Sequence, residues 1–240
     1  MVAARGARVI LQVEAPLRQL MAGLAGVSQC ISKDEALPDF DLHCPLLSLP
    51  LAFGTRLATI PSATSYLTVP PQARDWRPQL GSSDRPRIGL AWSGNPQHQR
   101  DADRSVAFAS LAPLFEIPAT FVSLQRDVRI QDQAALTARG DILNLEPSMA
   151  NFADAAALVS QLDLVISVDT GIAHLAAALG RPVWMLLQFV PDWRWLLDRD
   201  DTPWYPTMRL FRQTARADWE SVVARVAGAL GDVVEGRQDG

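Results

Sequence analysis

From Arg87 onward, short β-branched apolar runs alternate with helical stretches, and this alternation constrains the fold more than any other feature of the chain. Arg87-Ile-Gly-Leu-Ala-Trp92, Thr120-Phe-Val-Ser-Leu124, Asp141–Leu145, Leu164-Val-Ile-Ser-Val168, Val183–Leu187 and Met208–Arg212 read as strands. Runs that are apolar on both faces belong to strands covered on both sides. A helix is expected from Ser105 to near Leu114. A second follows the capping-box pattern Asn151-Phe-Ala-Asp154 and runs to Leu162, with Asp in place of the usual Glu. Thr170–Leu179 and the amphipathic Asp218–Leu230 complete the set. Strands alternating with helices of about ten residues predict an α/β fold, a parallel sheet with helices on both faces.

Residues 1–69 have a different texture. Arg8–Val13, Val27–Ser32 and Phe40–Cys44 read as strands, and Ala15–Leu24 carries Leu17, Leu20, Met21 and Leu24 at helical spacing before Gly26. Prolines 38, 45, 50 and 61 punctuate the rest. The stretch 70–85, rich in proline and small polar residues, reads as a linker to a second unit spanning 86–240.

The chain has 240 residues, 48% of them apolar, enough for a sizeable core. Its 22 basic and 26 acidic residues leave a net charge of −4. That argues against a nucleic-acid partner held through phosphates, while leaving room for a local phosphate site. Lys33 is the lone lysine among the 22, an imbalance read as genome composition rather than function. Two cysteines, Cys30 and Cys44, are too few for a secreted disulfide framework. With His43 they match no zinc spacing, so no metal site is expected. Arg5, Arg8, Glu14 and Arg18 interrupt any signal-peptide core, and no apolar run nears the length of a membrane span. A cytoplasmic location is expected.

In an open parallel sheet, ligands bind at the carboxyl ends of strands. Three loops there hold the candidate residues. After Val168 come Asp169, Thr170 and Gly171, with His174 one turn into a small-residue helix. Free amides at that helix start would seat an anion, although Asp169 or Thr170 could equally serve as an ordinary cap. After Trp92, the loop carries Gly94, Asn95 and Pro96, and ends at Arg104-Ser105, where a cation meets a helix start. It lacks both the dinucleotide glycines and the Gly-Lys-Ser/Thr of a P-loop. After Leu124, Gln125 could read a base or ribose edge, or be a plain loop residue. The tryptophans of Asp192-Trp193-Arg194-Trp195 and Trp204-Tyr205-Pro206 suit either a cleft wall or packing.

Taken together, Gly89–Pro96, Asp103-Arg-Ser105, Val165–His174, Asp192–Arg199 and Trp204–Phe211 resemble the family 9 glycosyltransferases, which include the lipopolysaccharide heptosyltransferases and domains found behind tetratricopeptide repeats. The resemblance implies a GT-B-like architecture, two Rossmann-like domains facing a cleft, with a nucleoside-diphosphate sugar as donor. The acceptor (glycan, lipid-linked sugar or protein) stays open, as does peripheral membrane association. It also implies that Asp169, Thr170, Gly171 and His174 hold the diphosphate, that Gly94, Asn95, Arg104 and Ser105 form the first phosphate loop, and that Gln125 approaches the nucleoside. No cofactor and no metal are implied. Where heptosyltransferases usually carry a lysine in that loop, this chain has Asp103, so Arg100, Arg104 or His98 must supply the charge. The family's opening strand, glycine-rich turn and acidic base have no counterpart ahead of Met1-Val-Ala-Ala-Arg-Gly6, so the N-terminal domain reads as truncated, with a repeat segment upstream in the gene compatible with that. Glycosyl transfer is therefore one reading, and an inactive nucleotide-sugar-binding or scaffolding remnant is the alternative. A GT-B sugar-nucleotide epimerase is a third, but the acidic residues it needs around the sugar have no evident place.

Overall fold

The computed structural model describes residues 1–238. β1 (Val9–Val13) and β2 (Val27–Ser32) form a parallel pair joined by α1 (Arg18–Met21), and α2 (Leu49–Ala52) and α3 (Arg77–Leu80) follow. The main sheet holds β3 (Arg87–Ala91), β4 (Thr120–Ser123), β5 (Leu143–Asn144), β6 (Leu164–Val168), β7 (Val183–Leu187) and β8 (Met208–Arg212). Its helices are α4 (Asp101–Arg104), α5 (Ile130–Ala138), α6 (Phe152–Val159), α7 (Gly171–Ala178) and α8 (Trp219–Gln238).

All neighbours in this sheet are parallel, in the order β5-β4-β3-β6-β7-β8. The chain leaves β3 outward through β4 and β5, then returns to the other side of β3 to lay down β6. Loops leaving β3 and β6 therefore diverge in opposite directions and open a crevice at the carboxyl edge. This is a doubly wound sheet, and the crevice falls where residues 92–105 and 169–171 lie.

Strand alternation divides the core. Leu164, Ile166 and Val168 of β6, with Trp184 and Leu186 of β7, pack under α8 through Val222, Val226 and Leu230. Val165, Val183, Met185 and Leu187 face the other layer, where alanines of α6 and α7 let those helices lie close to the sheet. Leu20 and Leu67 pack against Ala155, Ala156, Leu175 and Ala178, joining the N-terminal pair to α6 and α7. The amides of Tyr66 and Leu67 both donate to the Ala178 carbonyl, at 3.0 and 3.1 Å. Among the described residues no helix is long and apolar enough to cross a membrane.

Several expectations are corrected. Residues 40–44 form no strand; Asp39 and Asp41 stand between Pro38 and Pro45, and Leu42 is left 91% exposed. The helix expected over Ala15–Leu24 is a 3₁₀ turn followed by the four residues of α1. Ser105 ends α4 instead of opening a helix, and Phe108–Glu116 is a 3₁₀ run containing Pro113, which cannot donate a helical hydrogen bond. In the capping box, Asn151 accepts from the amides of Ala153 and Asp154 as expected. Asp154, a methylene shorter than Glu, instead takes the amides of Ala150 and Arg74.

The segment 70–85 is not a solvated tether. Trp76 is fully buried and its indole N–H donates to the Asp154 carbonyl at 2.8 Å, with the Arg74 guanidinium over its ring. Trp76→Ala is expected to cost about 3–5 kcal/mol of stability. Trp76→Phe should cost less, about 0.5–1.5 kcal/mol for the lost hydrogen bond, since the ring still fills the site. Denaturant unfolding measures both; a wild-type midpoint for the alanine variant would show that the segment contributes nothing to the fold.

Candidate functional site

A cleft of about 380 Å³ lies at the carboxyl edge of β3, β6 and β7, and all its lining residues come from positions 94–194. Seven of the expected residues meet there: Gly94, Asn95, Arg104, Asp169, Thr170, Gly171 and His174. Ser105 and Gln125 do not line it.

The wall after β6 is a helix start without a cap. Thr170 occupies the N-cap position of α7, but its hydroxyl makes no cap hydrogen bond. Ser167 Oγ donates to the Val168 carbonyl at 2.7 Å, so Thr170 Oγ1, 2.9 Å away, donates its own proton to Ser167. Asp169 is also diverted: Trp195 Nε1 donates to its Oδ2 at 2.8 Å, and His174 Nε2 lies 3.4 Å from its Oδ1. The Thr170 carbonyl takes the amides of Ala173 and His174. Among the described residues, the amides of Gly171 and Ile172 have no protein acceptor. They stand at the positive end of the helix dipole beside the cleft.

His174 is held on three sides. Its ring stacks on the buried Trp195 at 5.5 Å and 23°, and Nδ1 lies 3.0 Å from the Tyr205 hydroxyl. Burial, reinforced by Tyr66, pushes the Tyr205 phenol well above its usual pKa, so it stays a proton donor. The ring therefore presents Nε2 to the Asp169 carboxylate and Nδ1 to the Tyr205 hydroxyl. Burial alone would raise the Asp169 pKa, but the hydrogen bonds from His174 and Trp195 outweigh it and hold the carboxyl below its ordinary value.

The opposite wall rests on a buried carboxylate. Asp101 pairs with Arg104 at 3.3 Å and with Arg129, so two guanidiniums share one anion and a net positive charge remains. Arg104 Nη1 also donates to the Asp169 carbonyl at 3.3 Å, tying the two walls together. Gly94 is required by this arrangement: a Cβ there would sit 2.5 Å from Arg104 Nε and 2.6 Å from Asp101 Oδ1. Ser105 is the hub below the wall, accepting from the Gly94 amide and from Arg129 while donating to Asp101.

Gln125 departs from its expected part. It is buried, its Oε1 accepts from the amides of Trp92 and Ser93, and its Nε2 donates to the carbonyls of Ser93 and Arg126. All four bonds of the amide are spent clamping the end of β3 to β4, leaving none for a ligand. His98 and Arg100, read as alternative sources of charge, do line the cleft. Arg194 and Asp192 line it too, paired at 2.8 Å, and were not singled out as site residues. Asp101 and Arg129 were also missed: an aspartate in a polar loop and an arginine 28 residues later give no sign of their partnership.

Residues 121–187 match Glycosyltransferase family 9 (heptosyltransferase). Protein FlbA of Caulobacter vibrioides is 30% identical over 169 residues, which make up 68% of this chain and 28% of FlbA. The chain therefore spans little more than a quarter of that relative. Among solved structures, the E. coli ADP-heptose lps heptosyltransferase II superposes with a TM-score of 0.59 at 14% identity, covering 99% of this chain and 93% of that one. The glycosyl transferase family 9 structure from Veillonella parvula gives 0.61 at 12% identity, covering 93% and 88%. The chain resembles this family in sequence over residues 121–187 and shares the α/β fold of these structures.

Because the folded pKa of Asp169 is depressed, its contribution to stability is fully present above the ordinary carboxylate value of 3.8 and is lost as pH falls through the lower folded value. Asp169→Asn is expected to cost about 1–3 kcal/mol at neutral pH. That deficit should persist down to about pH 4 and shrink below it. Urea unfolding of both proteins across pH checks this; a deficit already gone near pH 6 would contradict the assignment.

Proposed function

We propose that the chain is a glycosyltransferase moving a sugar from a nucleoside-diphosphate sugar to an acceptor, with the cleft between residues 94 and 194 holding the diphosphate. The observation that carries this is the uncapped start of α7, opening on the cleft beside Arg104. As the bond between the anomeric carbon and the diphosphate oxygen breaks, its electron pair stays on that oxygen and negative charge grows there. The acceptor oxygen forms the new bond and gives up its proton. The amides of Gly171 and Ile172, with Arg104, Arg100 and Arg194, are placed to meet the charge on the leaving group. In this reading the donor-holding unit is 86–240, residues 70–85 connect it, and residues 1–69 belong to the acceptor side. The match of residues 121–187 to glycosyltransferase family 9 (heptosyltransferase) supports the same reading.

One observation favours a second reading, binding without turnover. Both carboxylates that line the cleft are engaged, Asp169 by Trp195 and His174 and Asp192 by Arg194. Asp169 thus has no oxygen free to take the acceptor proton, and Asp192 offers Oδ2 alone. Incubation with sugar nucleotides, followed by assay for released nucleoside diphosphate, separates the two.

Binding itself is tested by titrating ADP, UDP and GDP while following tryptophan fluorescence, since Trp195 contacts both Asp169 and His174. Arg104→Met should weaken the diphosphate about 10- to 100-fold, the loss of a charge-assisted hydrogen bond, and the corresponding monophosphate less. No response of the wild-type protein to any diphosphate at millimolar concentration would overturn the reading.

A further inference from the structure

The loop after β7 holds an indole in solvent and is braced to do so. Trp193 is 68% exposed. Its edge meets Trp204 at 6.2 Å and 81°, and Trp204 Nε1 donates to the Arg194 carbonyl at 3.1 Å. Asp192 caps the turn by accepting the Arg194 amide at 3.1 Å. From β8, Arg212 donates to the carbonyls of Trp195, Leu196 and Arg199, the last two at 3.0 and 2.7 Å. Leu196 and Asp198 are both left-handed, with φ of 54° and 53°. Such conformations cost about 1 kcal/mol or more in a residue with a side chain and persist only where the surroundings enforce them. The loop is thus fixed in a shape that leaves one of its three indoles largely uncovered.

Position supplies the purpose. Trp193 lies between Asp192 and Arg194, which line the cleft, while the indole itself stands outside that lining. Resting on the glycosyltransferase reading above, we infer that Trp193 is the stacking platform of a saccharide-acceptor subsite on the rim of the cleft, with Asp192 and Arg194 meeting the ring hydroxyls. A pyranose offers an apolar face of C–H groups suited to an indole plane, and a rim of hydroxyls that need charged or polar partners. Of Asp192, only Oδ1 is used by Arg194, and among the described residues Oδ2 has no partner. A protein partner suits the surface less well. Six of the ten residues from 192 to 201 are Asp or Arg, and charge is depleted at the centre of protein interfaces.

The test uses methyl glycosides of glucose, galactose, mannose and N-acetylglucosamine, titrated into the protein saturated with whichever of ADP, UDP or GDP binds, and read by ligand-observed NMR. At least one glycoside is expected to bind the nucleotide-loaded protein. Trp193→Ala should weaken it about tenfold or more, and Trp193→Phe should restore part of the loss. The thermal midpoint of either variant should stay close to wild type, because the indole is exposed. Equal binding by Trp193→Ala, displacement of the glycoside by nucleotide, or a self-association that Trp193→Ala abolishes would each overturn the inference. Nucleotide binding with no glycoside binding overturns it while leaving the nucleotide site intact. Binding of neither would bring down the glycosyltransferase reading as well.

Discussion

The cleft depends on a helix start from which the natural caps have been withdrawn. Asp and Thr are among the best N-caps, and each could satisfy amides of α7 from its own position. In this chain Thr170 gives its proton to Ser167, and Asp169 is turned to Trp195 and His174. The neighbouring helix shows the ordinary solution, since Asn151 fills the start of α6 by accepting two amides. Leaving α7 uncapped forgoes about 1 kcal/mol of stability. The hydrogen bonds that hold Asp169 ionised offset that loss, and the result is a pair of free donors aimed at the crevice.

The second wall works by a different balance. A buried carboxylate with one arginine would be neutral and would offer an anion little. Asp101 instead holds two, so Arg104 is fixed in place without its field being cancelled. Gly94 makes that geometry sterically accessible, and Ser105 with Gln125 locks the loop beneath it. Topology brings the two walls together: β3 and β6 are sheet neighbours but far apart in sequence, and only the reversal of winding between them places residue 94 beside residue 169.

What the sequence made legible follows from how local the causes are. The strands β2, β6, β7 and β8 were readable residue by residue; in β6 and β7, burial on both faces leaves few polar residues to confuse the pattern. Seven of the nine candidate residues meet at the cleft, because strand ends in a parallel sheet converge there whatever the details. The sequence failed where a long-range partner decides the outcome. Ser105 looked like a helix opening until Asp101 and Arg129 claimed its hydroxyl, and Gln125 looked free until the chain just after β3 took three of its bonds and the Arg126 carbonyl the fourth. The stretch at 40–44 had strand-like residues but no neighbouring strand to pair with. Trp76 sat in a run of linker composition, and only the packing of α6 shows why it is buried.

The shortage of lysine acquires a structural use once the hydrogen bonds are traced. Many of this chain's guanidiniums end on backbone carbonyls, Arg104 and Arg100 while also pairing with a carboxylate. Arg104 holds Asp169, Arg100 holds Val190, Arg74 holds Ser148, Arg87 holds Gly81 and Arg212 holds three carbonyls at once. A planar fork with five donors can join several irregular segments in a fixed geometry, whereas a lysine ammonium offers a mobile point charge. Loops at the edges of the sheet have no ladder to satisfy their carbonyls, and these arginines supply the missing donors, Arg87 at the amino edge and the others at the carboxyl edge. The same side chains that leave positive charge around the cleft therefore also keep its loops in register, so their numbers reflect loop architecture as well as any ligand.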